Sequence, residues 1–300
     1  MDRRCPRVAA VIRNGRAPPS STFASPAPQQ WYAPGTDSPA LVKILFTPCL
    51  IALATLLARH FGPGIGGTIA GLPFTSTPVS VFLALEQGPA FAAAAAVGTL
   101  LGLLSQGALC LTYAWTARRF RWPTSLLAGL LAFGVATAVL ARVSLPVPIA
   151  LALVSGLLLL AGLAIPTGGG GDRPVRGPRW DLAVRMLAAT AIVVVLTAGA
   201  ERLGPTWTGL LSPFPVFALV LGIFTHLGHG SRAAARLLRG VVLGSLAHAA
   251  MFALVAALLP GHGLAWTYTW GGLAALAVNA LVLWSTGSQV RAGRNRTIGA

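Results

Sequence analysis

The chain consists of long apolar runs separated by short connections rich in arginine, glycine and proline. The runs 41–58, 124–140 and 147–165 are composed mostly of aliphatic residues. Each is close to the ~20 residues that an α-helix needs to cross the hydrocarbon core of a bilayer. No run alternates apolar and polar residues over about ten positions, which is the pattern of a membrane β-strand. The pattern therefore predicts a bundle of membrane-spanning helices.

The same succession of segments occurs twice. When the chain is slid along itself, one constant offset places Gly62-Pro63 on Gly204-Pro205 and Pro73 on Pro215 without a gap. We call this alignment the repeat register, and it also pairs Gly67 with Gly209, Gly88 with Gly230, Gly98 with Gly240, Gly102 with Gly244, and Gly129 with Gly271. Shared alanine and leucine arise easily by chance in so apolar a chain, whereas shared glycine and proline in one register do not. We therefore predict an internal duplication.

Each predicted repeat holds four apolar segments, and a ninth segment lies between the repeats. The segments cover about 41–59, 65–86, 90–116 and 122–142 in the first repeat, 181–200, 207–227, 233–258 and 264–286 in the second, and 146–165 between them. The ninth crossing makes the second repeat enter from the opposite face. The predicted fold class is an all-α integral membrane protein with about nine transmembrane helices, arranged as two inverted four-helix repeats joined by one helix.

The predicted domain boundaries follow from these segments. They are 41–142 for the first repeat, 143–180 for the linking helix and a cytoplasmic loop, 181–286 for the second repeat, and 287–300 for a cytoplasmic tail. Residues 1–40 are rich in arginine, proline and serine and lack the apolar core of a signal peptide. Two interpretations of residues 1–40 are open, a disordered tail or an over-extended gene start.

The low content of charged residues limits the classes of function that the protein can have. Charged residues make up 9% of the chain, against ~25% in soluble globular proteins, and the formal net charge is +16. So few charges cannot cover a water-facing surface, which excludes a soluble enzyme. The arginines lie between apolar runs, where they are typical of topology signals rather than of a nucleic-acid-binding stripe. We expect a lipid bilayer as partner, no nucleic acid, and neither a metal nor another cofactor; the oligomeric state is left open.

The distribution of positive charge predicts the orientation. With nine crossings, one face receives fourteen of the Lys and Arg residues after position 40 and the other face receives three. The positive-inside rule makes the first face cytoplasmic and places the C-terminus inside. If 65–86 and 207–227 were re-entrant, the split would be eight against nine. The expected location is the cell (inner) membrane.

The second segment of each repeat is interrupted by proline. The interrupting residues are Pro73 and Pro78 in the first repeat and Pro213 and Pro215 in the second. Proline removes a backbone donor and clashes with the preceding turn, so each segment is expected to kink or unwind. The freed backbone groups then need a polar cavity or neighbouring helices. Paired breaks in two inverted halves indicate a transporter site, and the alternative is a pair of kinked packing helices.

Polar residues within the segments complete the candidate binding site. Gln106 and its equivalent His248 lie near the middle of the third segments, and Thr75, Ser76 and Thr77 follow the first break. We predict that these five residues bind the substrate, and a histidine can also carry a proton. The alternative for the third-segment pair is hydrogen bonding between helices, which contributes about 0.6 kcal/mol on average.

Three residues near segment ends are predicted to act in coupling or gating. Glu86 ends the second segment of the first repeat, and His226 and His229 lie at the matching end in the second. Ionisable residues at a membrane boundary can guard a path or bind a coupling ion. A solvated helix end is the alternative for Glu86.

The sequence contains no motif of a membrane enzyme such as HExxH, GxSxG or CxxC, so we expect a protein without enzymatic activity. The phrase Gly66–Ser76 resembles the glycine-rich, proline-broken helix of small uncharacterised GlpM-like bacterial inner-membrane proteins. The resemblance implies an inner-membrane location and assigns no functional residue. The sequence as a whole predicts a small-solute permease or exporter, and the alternative is a non-transporting scaffold or accessory subunit.

Overall fold

The computed structural model describes residues 60–74, 76–166 and 205–298, with isolated positions before residue 60 and between 183 and 187. The side chains of residues 86, 205, 208 and 286–298 lie outside this description. All regular structure within it is helical, which confirms the all-α prediction for these residues. The predicted segments 41–59 and 181–200, the predicted tail 1–40 and most of the predicted linking loop fall largely outside the described residues, so the count of nine crossings stays a prediction.

The described part of the chain contains eight helices. They are α1 (Pro63–Ala70), α2 (Ser76–Glu86), α3 (Pro89–Thr116), α4 (Trp122–Leu140), α5 (Val147–Ala164), α6 (Pro205–Leu211), α7 (Val216–His262) and α8 (Leu264–Ile298). Within this part, α3, α4, α5, α7 and α8 are long and apolar enough to cross a membrane. The predicted segments 65–86 and 207–227 are each divided into two shorter helices, as expected from their prolines.

Helix α7 is too long for a single crossing. Its 47 residues would extend about 70 Å if straight, more than twice the ~30 Å hydrocarbon core. Gly230 interrupts it with φ 81° and ψ 174°, and Gly88 has φ 92° and ψ 161° immediately before α3. Glycine adopts such positive φ values without the steric cost that other residues meet. We call residues 216–229 α7a and residues 231–262 α7b.

The helix boundaries recur at positions related by the repeat register. α1 begins at Pro63 and α6 at Pro205, and each is followed by a break and a second helix. Gly88 stands before α3 as Gly230 stands before α7b. α4 and α8 also begin at equivalent positions. The first half of the described chain, 60–140, and the second half, 205–298, therefore contain the same order of helices and breaks.

Helices α3 and α7b form the centre of the molecule. Both are buried over most of their length, with Leu100 and Leu103 on α3 and Leu237 on α7b fully enclosed. α4 packs on α3, α8 packs on α7, and α5 contacts both central helices. α5 fits closely because Gly107 and Gly162 leave room for the side chains of leucines on the facing helices.

The outer helices expose many large apolar side chains. On α4 the buried positions are Ser125, Gly129, Phe133 and Thr137, which recur every fourth residue along one face. Its other faces expose large side chains, including Leu131 at 61% and Val135 at 66%. Such an extensive exposed apolar surface is typical of contact with lipid or with another apolar partner.

The two short helices contact the central helices through glycine. A Cβ added at Gly67 of α1 would overlap the carbonyl oxygen of Leu237 in α7b. A Cβ added at Gly209 of α6 would overlap the carbonyl oxygen of Ala95 in α3. The backbones are thus in direct contact at these positions, which only glycine allows.

These contacts are reciprocal between the halves. The repeat register relates Gly67 to Gly209 and also relates Leu237 to Ala95. Gly244 contacts the backbone of Thr68, and the equivalent residues in the repeat register, Gly102 and Leu210, are also in contact. Each half therefore supplies the short helix that packs on the central helix of the other half.

We predict that Gly67→Ala and Gly209→Ala each destabilise the protein by about 1–3 kcal/mol, because the added methyl group meets a rigid backbone rather than a movable side chain. The measurement is the unfolding temperature of the purified protein in detergent. Gly134→Ala in α4 is the matched control, since an added Cβ there meets nothing within 4 Å. Equal stability of all three variants would contradict the close backbone contact.

Candidate functional site

The two helix breaks lie against each other. The first break, residues 71–74, lies between α1 and α2, and the second, residues 212–215, separates α6 from α7. The hydroxyl of Ser76 donates a hydrogen bond of 3.1 Å to the carbonyl oxygen of Ser212. The predicted helix-breaking residue Pro73 is buried close to this contact. The sequence elements predicted to shape a site are therefore neighbours in space.

A small, partly open cavity lies between the breaks and the central helices. Its volume is about 20 Å³, and one ordered water needs roughly 10–15 Å³. The wall consists of residues 70–72 at the end of α1, residues 213–218 at the second break and the start of α7a, Gln106 of α3, and Val241 and His248 of α7b. Both halves of the described chain contribute to it.

Gln106 connects the central helices by a chain of hydrogen bonds. Its Nε2 donates to Ser245 Oγ at 2.9 Å, and Ser245 Oγ donates to the carbonyl oxygen of Val241 at 2.8 Å. Gln106 is 5% exposed and Ser245 is fully buried. These bonds satisfy polar groups that would otherwise be costly to bury, and they fix the amide of Gln106 at the wall of the cavity.

His248 Nε2 has no comparable partner among the described residues. Its ring lies 5.0 Å from the ring of Phe252, centroid to centroid, and the residue is 4% exposed. Its Nε2 makes no hydrogen bond. A buried polar atom without a partner costs about 1–3 kcal/mol, so it requires an explanation such as water or a ligand.

The helix ends bring unpaired backbone groups to the same cavity. In the first turn of α7a, Val216 N–H donates to the carbonyl of Phe214 and Leu219 N–H to that of Pro215. The N–H groups of Phe217 and Ala218 have no acceptor among the described residues, and the helix has no side-chain cap. Such groups are left free at every helix start and bind a cap, water or a ligand.

Two of the five predicted binding residues, Gln106 and His248, line the cavity. Ser76 joins the breaks instead. Thr77 Oγ1 donates to the carbonyl of Pro73 at 2.6 Å and lies 3.4 Å from the sulfur of Met251. Thr75 lies outside the described residues.

The four prolines that were predicted to break helices also differ in where they lie. Pro213 and Pro215 line the cavity, and Pro73 is buried beside the break. Pro78 lies within the first turn of α2, where proline is tolerated because the early N–H groups of a helix have no intrahelical acceptor. It therefore does not break that helix.

The residues predicted for coupling or gating lie elsewhere. Tyr113 Oη and His226 Nδ1 are 3.2 Å apart, a hydrogen bond between α3 and α7a. His229 is exposed at the end of α7a. Glu86 is the last residue of α2, and its side chain lies outside the described part. Neither histidine belongs to the cavity wall.

The sequence interpretation missed Ser245 and Tyr113. Ser245 stands three residues before His248, and Tyr113 stands seven residues after Gln106. These spacings place each on the same helix face as the residue that was identified. Helical spacing from Gln106 and His248 would have been the signal that identified them.

No group of three His, Cys, Asp or Glu residues suited to a metal ion occurs in the described ranges. Comparison of the chain with protein-family models, with curated proteins and with solved structures gives no match, so the resemblance to GlpM-like proteins stays a prediction.

Proposed function

We propose that the protein is a small-solute permease or exporter whose binding site is the cavity between the two helix breaks. The observation that carries this proposal is the meeting of both breaks with Gln106 and His248 at one cavity wall. Broken helices expose backbone hydrogen-bonding groups, which occur at membrane depth only inside protein or beside water. Transporter sites are typically formed by such discontinuous helices at the interface of two repeats.

We infer further that the chain contains two inverted repeats within about nine transmembrane helices. The matching helix boundaries and the reciprocal glycine contacts support this arrangement. In each case, a contact from the first half to the second is matched by the equivalent contact from the second half to the first. Contacts that are reciprocal in this way indicate two units related by a two-fold axis. Nine crossings would place that axis in the membrane plane.

Transport requires the cavity to open. Its volume of about 20 Å³ is far below the ~300 Å³ of a typical small ligand pocket. On this proposal the structure is a closed state, and opening separates the two breaks and their hydrogen bond between Ser76 and Ser212. α1 would move with α7b and α6 with α3, because glycine contacts hold each pair together.

A non-transporting scaffold or accessory subunit is the second candidate. The small cavity volume and the dense glycine packing favour it, since both are also properties of a rigid bundle. In a scaffold, the bond from Gln106 to Ser245 holds the helices together and the cavity has no route to water.

The proposed location is the cell (inner) membrane, with the C-terminus in the cytoplasm. The excess of arginine on one predicted face supports this orientation. Among the described residues, Arg118, Arg119 and Arg121 lie together in the connection between α3 and α4. Arg142 follows α4 at its opposite end.

Water access to the cavity tests the transport proposal without a known substrate. We predict that Ala218→Cys reacts with a membrane-impermeant thiol reagent added to either side of the membrane, because alternating access exposes the wall of the cavity to both sides. Cys5 and Cys49 are first replaced by serine and Cys110 by alanine, which removes the reactivity of all three native cysteines. The measurement is mass spectrometry of the labelled protein from oriented vesicles.

The matched control is Ala114→Cys, because Ala114 is equally buried at 1% exposure and lies outside the cavity wall. It should remain unlabelled from both sides. If Ala218→Cys also stays unlabelled, the cavity is closed to water and the scaffold is the better function.

The topology has its own test. We expect reporter fusions after Arg121, after Arg179 and at the C-terminus to report the cytoplasm, and fusions near Arg142 and Pro260 to report the outside. The reason is the charge asymmetry between the two faces. A cytoplasmic signal at both Arg142 and Pro260 would be incompatible with inverted repeats.

The first break can be tested by Pro73→Ala. We expect this change to leave the unfolding temperature nearly unaltered and to slow labelling of Ala218→Cys, because a more regular helix withdraws backbone groups from the cavity. Pro78→Ala is the matched control, since Pro78 lies within a helix and not at its break. Equal labelling rates in both backgrounds, with only a stability change for Pro73→Ala, would show that the break has a packing role alone.

A further inference from the structure

The cavity lies between helix ends of opposite polarity. Residues 216–218 form the first turn of α7a, and residues 70–72 are the last residue of α1 and the two residues after it. A helix carries a partial positive charge at its N-terminus and a partial negative charge at its C-terminus. The cavity wall therefore combines a hydrogen-bond-donating end with a hydrogen-bond-accepting end.

Both ends hold unpaired backbone groups. The N–H groups of Phe217 and Ala218 have no acceptor among the described residues. At the other end, the carbonyl oxygen of Ala70 receives no hydrogen bond from a described residue, whereas those of Gly67 and Ile69 do. Donors and acceptors without a described partner on the two sides of one cavity indicate a ligand that has both functions.

The side chains of the cavity wall are also compatible with a ligand that has both functions. None of the lining residues carries a formal charge of the Asp, Glu, Lys or Arg type. A site without a fixed charge is poorly suited to an ion with one net charge, because burying an unpaired charge is costly. His248, which is 4% exposed, adds a ring nitrogen, Nε2, that no described protein group satisfies.

We propose that this cavity binds a small dipolar solute, an amino-acid-like zwitterion, with its carboxylate at the start of α7a and its ammonium group at the end of α1. This inference rests on the proposed transport function. The two helix ends complement the two charges, and His248 and Gln106 supply polar contacts between them. The net charge of the bound solute is zero, which matches a wall without formal charge.

The size of the cavity narrows the choice of solute. Its volume of about 20 Å³ holds little more than ordered water, and Phe214 and Phe217 belong to its wall. The smallest zwitterion therefore requires the least rearrangement. The free amino acid glycine is therefore the appropriate probe. Amino acids with longer side chains should bind more weakly to this closed state.

The experiment compares glycine with compounds that carry only one of its two charges. The full-length protein bearing Ala218→Cys, with Cys5, Cys49 and Cys110 replaced, is labelled in lipid vesicles at constant ionic strength. Glycine, acetate or methylammonium is added over a range of concentrations. We expect glycine to protect the thiol at a concentration about tenfold lower than acetate or methylammonium, the factor expected when one charge-assisted hydrogen bond is lost.

Substitution of the histidine provides the second readout. His248→Leu should raise the half-protecting concentration of glycine about tenfold, and His248→Gln should partly restore it, because glutamine keeps a hydrogen-bonding group. His262→Gln is the matched control, since His262 is exposed at the end of α7. It should leave protection by glycine unchanged.

The outcomes separate this inference from the function on which it rests. If the thiol is labelled from both sides but acetate or methylammonium protects as well as glycine, or glycine does not protect, the dipolar solute is wrong and the transport pathway remains. If His248→Leu leaves protection unchanged, the position assigned to the solute is wrong. If the thiol is never labelled, transport and the dipolar solute are both refuted.

Discussion

Direct contact between helix backbones at glycine is the constraint on which the rest of the structure depends. α1 and α6 have only eight and seven residues, too few to be stable helices on their own. Gly67 and Gly209 let them lie against the backbones of α7b and α3. In a membrane, where apolar burial does not drive helices together, such close packing is a principal source of association. A methyl group at either glycine would push the short helix outward and move the break that follows it.

The cavity is a consequence of that packing. Because the short helices end where they do, both breaks meet between α3 and α7b, opposite Gln106 and His248. Rings of Phe133 and Phe214, 5.2 Å apart at their centroids, close one side of the second break. The backbone groups without a described partner and His248 Nε2 thus lie where the two breaks meet the central helices α3 and α7b.

Periodicity and proline positions predicted much of the fold. The bounds of α3, α4 and α5 lie within a few residues of the predicted segments, because long aliphatic runs have one stable structure in lipid. The pairing of Gln106 with His248 at one site followed from the repeat register. The packing of each short helix on the central helix of the other half could not be predicted, because a glycine in the sequence does not show which backbone it will contact. The partners Ser245 and Tyr113 were missed because contacts between helices depend on how each helix is rotated about its own axis. The composition does not determine that rotation.

The exchange of short helices between the halves has a consequence for the origin of the chain. A polypeptide containing only residues 60–140 would present Gly98 and Gly102 with no helix to cover them, and its own α1 would lack a surface to pack on. Two copies of such a polypeptide, inserted in opposite directions, would satisfy both needs at once. On the inverted-repeat arrangement proposed above, the ancestor of the fused chain is expected to be an intertwined homodimer of dual orientation, and the two halves, made as separate polypeptides, should still assemble with each other.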